Sequence, residues 1–121
     1  GCPGSGKSTF AAKLAKKINI PLYHLDKYFF TQNWQPVDYG QFIEKQWELV
    51  EQDEWIIEGC GMRSLHIRLM TADLVLYFDI PRRVCLWRIL KRWAKGKRET
   101  DCKPEGCPEV LRYQFVKYVW H

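Results

Sequence analysis

Apolar residues recur along the first part of the chain with a helical period. Phe10, Leu14 and Ile18 stand at i, i+4 and i+8, with Lys13, Lys16 and Lys17 on the other side, which predicts an amphipathic helix over 7–18. Ala11 and Ala15 are small enough to let that helix approach a sheet closely, and Asn19 and Pro21 supply its stop. Residues 21–26 (PLYHLD) form a short apolar run that closes on a carboxylate and predict a strand. Residues 27–37 are aromatic without a period and predict a loop. Asp38 followed by Gln41 reads as a capping box. It opens a helix to about residue 52 with Phe42, Ile43, Trp47 and Val50 inward.

The second half alternates in the same way. Residues 54–59 (EWIIEG) predict a compact strand that ends in Glu58. Residues 72–81 (ADLVLYFDIP) are a near-continuous apolar run of the kind found in buried parallel strands. Pro81 suits the first turn of a helix, expected over 82–94 and lined by Cys85, Trp87, Ile89 and Trp93. Residues 95–107 are polar, carry Gly and Pro, and predict a loop. Pro108 opens a last helix with Leu111, Phe115, Val116, Val119 and Trp120 at core spacing. Strands alternating with helices predict an α/β fold, a doubly wound parallel sheet between helical layers.

The chain opens on GCPGSGKST, which fits G-x-x-x-x-G-K-[ST] at Gly1, Gly6, Lys7 and Ser8. Such a loop hangs between a buried parallel strand and a helix. The helix follows at once, while the strand would precede Gly1, and the far end stops inside a helical pattern at YVWH. The expectation is one domain over 1–121, truncated at both ends: its first strand is missing, as are a final strand and helix. Glycines let successive backbone N–H groups converge on phosphate oxygens, and the helix N-terminus adds its positive dipole. Gly1, Gly4, Ser5, Gly6, Lys7, Ser8 and Thr9 are the expected nucleotide-binding residues. Lys7 would reach the β- and γ-phosphates of ATP, Ser8 would offer a hydroxyl to Mg²⁺, and Thr9 would touch the α-phosphate.

Phosphoryl transfer also needs a group that holds the acceptor, one that positions the metal, and positive charge at the γ-phosphate. Asp26 ends the run 21–26, and ligands of parallel sheets bind beyond the carboxyl ends of strands. It would accept the proton of an attacking hydroxyl, or else cap the loop that follows. Glu58 would hold Mg²⁺ through water, or be an ordinary strand-end acid. From Arg82 to Arg98 there are eight basic residues and no acid. Arg88 and Arg92, spaced i, i+4, suit a phosphate clamp, because neighbouring guanidiniums repel unless an anion lies between them. The same run also reads as a solvated helix face or a nucleic-acid stripe, although Trp87 and Trp93 fit core spacing better than base stacking. Arg63 and Arg68 are candidates for acceptor or phosphate contacts.

The acceptor-binding region is placed at about 27–53 and a lid at about 93–108. Trp34 and the Tyr28-Phe29-Phe30 cluster either stack an acceptor base or anchor a loop. His24, on a strand, reads as packing rather than catalysis. Cys102 and Cys107 form C-x4-C in the lid, but structural zinc wants four ligands and no second pair stands nearby.

Composition narrows the partners. Nineteen basic residues against fourteen acidic ones give a net charge of +5, which favours polyanions without separating nucleotides from nucleic acid. Five cysteines, an odd number at irregular spacing, predict reduced thiols and a cytoplasmic chain. The apolar run at 74–78 is far too short to cross a bilayer, so no membrane partner is expected.

The ordered set GCPGSGKSTFA, PLYHLD, WIIEG, DLVLYFDIPR followed by CLWR and LKR, and PEGCPE resembles the P-loop proteins called DNA topology modulation FlaR-related proteins. These are similar to adenylate kinase and other nucleotide kinases. The resemblance covers essentially the whole chain. It implies a P-loop NTPase fold of the nucleotide-kinase type, with the phosphate loop on residues 1–9, the strand-end acid on Asp26, and lid arginines on Arg88 and Arg92. Glu58-Gly59 stands where nucleotide kinases usually carry Asp-Gly, and Cys60-Gly61-Met62 where the relatives carry Asn-Tyr. Two functions follow as expectations. One is a phosphotransferase that moves the ATP γ-phosphate to a nucleotide, nucleoside or other small acceptor. The other is an ATP-binding regulatory module that modulates DNA topology by touching DNA. A GTPase is disfavoured, since no N-K-x-D motif follows the loop.

Overall fold

The computed structural model describes residues 1–96, 103–108 and 111–120. Helix α1 (Lys7–Ile18) starts directly after Gly6 and stops at Asn19, which takes a left-handed conformation and donates its N–H to the Ala15 carbonyl. Lys16 and Lys17 in the last turn complement the helix dipole. The helix packs on both strands and buries Ala11. Phe10 and Ile18, expected inward, stay exposed, and Phe10 turns its ring edge-on to Phe78 at 5.3 Å.

Strands β1 (Leu22–His24) and β2 (Ile56–Glu58) pair in parallel, with Leu22 opposite Ile56, Tyr23 opposite Ile57 and His24 opposite Glu58. The register brings both carboxyl ends level, so His24 and Glu58 share one face of the sheet. Strand β1 stops two residues earlier than its apolar run suggests, because the chain turns at once into α2 (Leu25–Phe29). Asp26 therefore sits on the first turn of a helix, not on a strand end. Residues 27–37 are more ordered than expected: α2 leads to a short 3-10 turn at Gln32–Trp34, and Phe30 bridges to Pro36.

Helix α3 (Tyr39–Val50) is capped by the Asp38 carboxylate, which accepts from the Gln41 N–H at 3.2 Å. It buries Phe42, Gln46, Leu49 and Val50, while Trp47 lies outward. The buried Gln46 amide donates to the Ser64 hydroxyl at 2.8 Å, at the start of α4 (Leu65–Leu69). Helices α5 (Arg82–Lys95) and α6 (Tyr113–Trp120) close on a small core of Cys85, Ile89 and Val119, flanked by Cys2, Ile80, Leu111 and Phe115. Helix α6 begins later than Pro108.

Two further expectations fail. Trp87 and Trp93 are 65% and 51% exposed rather than inward. Trp87 stands two residues from Cys85, about 200° around the helix and away from α6. Residues 72–81 form no strand, and Leu74, Val75, Leu76 and Tyr77 lie exposed. An apolar run becomes a strand only when another backbone offers it donors and acceptors. Among the described residues the sheet has two strands, β1 and β2, and neither pairs with this run. Its Phe78 instead meets Gly1, where a Cβ would stand 2.5 Å from the Phe78 carbonyl oxygen. The fold is thus mixed α/β with a two-stranded parallel sheet. No helix among the described residues is long and apolar enough to cross a membrane.

Candidate functional site

The turn before α1 is shaped by two glycines with positive φ, Gly4 at 80° and Gly6 at 95°. A Cβ on Gly4 would lie 2.6 Å from the Cys85 carbonyl oxygen, so the loop rests directly on α5 and only glycine fits. Ser5 is buried at the centre of the turn, and its N–H bonds the Cys2 carbonyl at 3.2 Å. The first N–H groups of a helix have no partner within it and point out of its N-terminus. Here they belong to the residues just after Gly6, so the loop and the positive end of α1 face the same space.

Two cations close on that space. The Lys7 ammonium folds back over the turn and donates to the carbonyls of Gly1 at 2.9 Å and Cys2 at 2.8 Å, with the Ser5 hydroxyl at 3.4 Å. Arg88 reaches across from α5 and donates to the Ser5 carbonyl at 3.3 Å. Carbonyl oxygens are modest ligands for a cation, and a phosphate oxygen with a full charge is a stronger one. A lysine from the loop's own helix and an arginine 83 positions away from Ser5 are therefore presented to one turn.

At the carboxyl ends of the strands, Ser8 donates to Glu58 Oε1 at 2.9 Å, and His24 Nδ1 lies 2.6 Å from the same oxygen. Burial opposes a charge on the Glu58 carboxyl, but the hydrogen bonds from His24 and Ser8 and the nearby Lys7 together outweigh it. The group lies below the ordinary glutamate value. Glu58 is accordingly an anion and Ser8 a hydroxyl donor beside the glycine turn. These are hard oxygen ligands. Mg²⁺ usually takes one or two protein oxygens together with waters and substrate phosphates rather than a protein cage. Among the described residues no cluster of three or more His, Cys, Asp or Glu occurs, and Ser8 with Glu58 fits such a shared site.

The other expected residues are placed less centrally. Thr9 is the third residue of α1 and half-buried. Asp26 is exposed on the first turn of α2. Arg92 lies one turn beyond Arg88 and is half-buried. Arg63 stacks over Tyr39, 5.1 Å from the ring centre. Arg68 is only 7% exposed, and its terminal nitrogens donate to the carbonyls of Gly59, Cys60 and Gly61. It braces the turn after β2 from inside through Nη1 and Nη2, while its buried Nε meets no partner among the described residues.

Of the expected lid, residues 97–102, including Cys102, lie outside the described residues. Its described end docks on the 3-10 turn. Trp34 donates from Nε1 to the Pro108 carbonyl at 3.0 Å, Asn33 N–H bonds the Gly106 carbonyl at 3.0 Å, and the buried Cys107 thiol donates to the Thr31 carbonyl at 3.0 Å. Trp34 also packs edge-on against Phe30, and Phe29 packs against both Phe30 and Phe42. Ring contacts among Phe29, Phe30, Trp34 and Phe42 hold the loop to α3, while Tyr28 lies under the Lys45 ammonium, 5.6 Å from its ring centre. His24 is the site residue that sequence reasoning missed. The signal was present: PLYHLD and WIIEG each carry a polar side chain just before the apolar run breaks.

These features define an α/β chain with a glycine-shaped, cation-lined turn at a helix N-terminus. Comparison of the chain with protein-family models, with curated proteins and with solved structures finds no match.

Proposed function

We propose that this chain is a P-loop phosphotransferase of the nucleotide-kinase type, with the three-layer α/β/α architecture that the sequence order suggests. It binds ATP with Mg²⁺ and passes the γ-phosphate to a nucleotide, nucleoside or other small acceptor in the cytoplasm. On this reading it belongs with the FlaR-related group it resembles. One observation carries the proposal: Lys7, Ser8, Glu58 and Arg88 converge on the N-terminus of α1.

The roles follow from the chemistry. Loop amides and the positive helix end attract phosphate oxygens. Lys7 exchanges backbone carbonyls for the β- and γ-phosphates, and Arg88 sets a fork of donors beside them. Ser8 and Glu58 are the residues that would hold Mg²⁺, Glu58 through water; the ion supplies neutralising charge when bound. Asp26 accepts the proton of the acceptor hydroxyl as its oxygen attacks the γ-phosphorus and the bond to the ADP oxygen breaks.

Calorimetry with ATP and Mg²⁺, followed by transfer assays across a nucleoside panel, tests the reading directly. Lys7→Ala removes a charge-assisted hydrogen bond and should weaken ATP binding by about 1.5–3 kcal/mol. No binding heat with the unaltered chain would sink the proposal.

The exposure of Trp87 and Trp93 beside Arg82, Arg83 and Lys95 favours a second reading, an ATP-binding module that contacts DNA. Its mark would be DNA affinity that falls steeply with salt and is lost when Arg82, Arg83, Lys95 and Lys97 are neutralised. DNA affinity indifferent to those four changes would remove it.

A further inference from the structure

Both hydrogen bonds to the Glu58 carboxylate fall on the same oxygen. Ser8 donates to Oε1 at 2.9 Å and His24 Nδ1 lies 2.6 Å from it; among the described residues none bonds Oε2. The imidazole and the carboxylate are register partners across β1 and β2, and only 11% and 14% of their side chains are exposed. An ionised carboxylate can only accept, so the His24 proton on this side sits on Nδ1. A carboxylate held by two donors on one oxygen cannot rotate freely about its last bond. Its other oxygen then points in one direction.

We propose that His24 is a positioning residue for a magnesium site: its Nδ1–H holds Glu58 in the rotamer that keeps Oε1 on Ser8 and leaves Oε2 for the water shell of the ion. This rests on the nucleotide reading above. Without the imidazole, Glu58 keeps one donor in a poorly hydrated place, and the nearby Lys7 ammonium becomes its alternative partner. A carboxylate drawn towards Lys7 would turn Oε2 away from the water shell of the ion. His24 thus keeps the acid and the base of the site apart, and it does so through the register of the sheet, since a slip of one residue would turn the ring to the other face.

The test is the Mg²⁺ dependence of ATP binding, followed by calorimetry, with Mn²⁺ binding followed by electron spin resonance as a readout that needs no turnover. His24→Ala should raise the Mg²⁺ needed for half-maximal tightening of ATP about tenfold and weaken Mn²⁺ binding likewise, while ATP affinity without divalent ion stays within about twofold. His24→Asn, whose amide N–H stands where Nδ1–H does, should restore the Mg²⁺ requirement; His24→Gln, whose amide reaches further, should not. An unchanged requirement in the Ala variant overturns the proposal, and so does an Asn variant as poor as the Gln one, which would mean that the ring only packs. Should the Ala variant fail to fold, the Asn and Gln pair still decides. If the unaltered chain binds no ATP, the nucleotide reading falls and takes this one with it. If it binds ATP with Mg²⁺ and His24→Ala needs no more Mg²⁺ than the unaltered chain, this one falls alone.

Discussion

Replacing Arg88 by Ala should slow phosphoryl transfer about 10³-fold or more while changing ATP affinity far less, because an arginine at the γ-phosphate acts mainly on charge that develops in the transition state. The placement is specific. Arg88 is carried on α5, rests on the Ser5 carbonyl at 3.3 Å, and brings Nη1 beside Gly6, the residue from which α1 starts. A helix gives the side chain a rigid base, and the contact of Gly4 with the Cys85 carbonyl fixes that helix against the loop. Arg88→Lys keeps the charge but loses the planar fork, so it should recover only part of the rate. The measurement is kcat and KM for ATP in parallel. An Ala variant with a raised KM and unchanged kcat would make Arg88 a ground-state anchor and end its catalytic role.

Asp26→Asn should lower kcat about 10²–10⁴-fold at nearly constant ATP affinity, the range expected when a general base is removed. The change keeps the size of the side chain and its place on the first turn of α2, and it removes the negative charge and with it the ability to take a proton. The position suits this, since Asp26 lies two residues past the carboxyl end of β1 and is exposed to an incoming acceptor. Measured transfer within about threefold of the unaltered chain would show that no proton passes through Asp26. The acceptor would then meet another base, and the assignment of residues 27–53 as its region would lose its chemical reason.

Much of the local architecture is legible in the chain because its causes lie within a few residues. The period of Phe10, Leu14 and Ile18 gives α1 the limits it has, Asp38 caps α3 through the Gln41 N–H, and Pro81 precedes α5. The direction of burial is read less well. Ala11 rather than Phe10 is the buried residue of α1, and Trp87 and Trp93 lie outward on α5. Which apolar residues are covered depends on the element that arrives opposite them, and periodicity carries no information about that. The run at 72–81 makes the same point for strands. Its composition is that of a buried strand, yet a strand is a relation between two backbones, and none among the described residues supplies the ladder.

For the candidate site, residues 1–9 by themselves carry the phosphate-loop pattern, since glycines, a lysine and a serine at fixed spacing lie within one turn of backbone. What the linear order left open is everything that reaches that turn from a distance. Arg88 arrives over 83 positions, Glu58 meets Ser8 over 50, and His24 meets Glu58 over 34. Arg68, also an arginine and nearer to Glu58 along the chain, is turned inward to brace three carbonyls. Short-range forces choose helix, turn and cap from neighbouring side chains. The pairing of distant charges follows only from strand register and helix packing, because the energy of a hydrogen bond depends on separations in space that the order of residues does not specify.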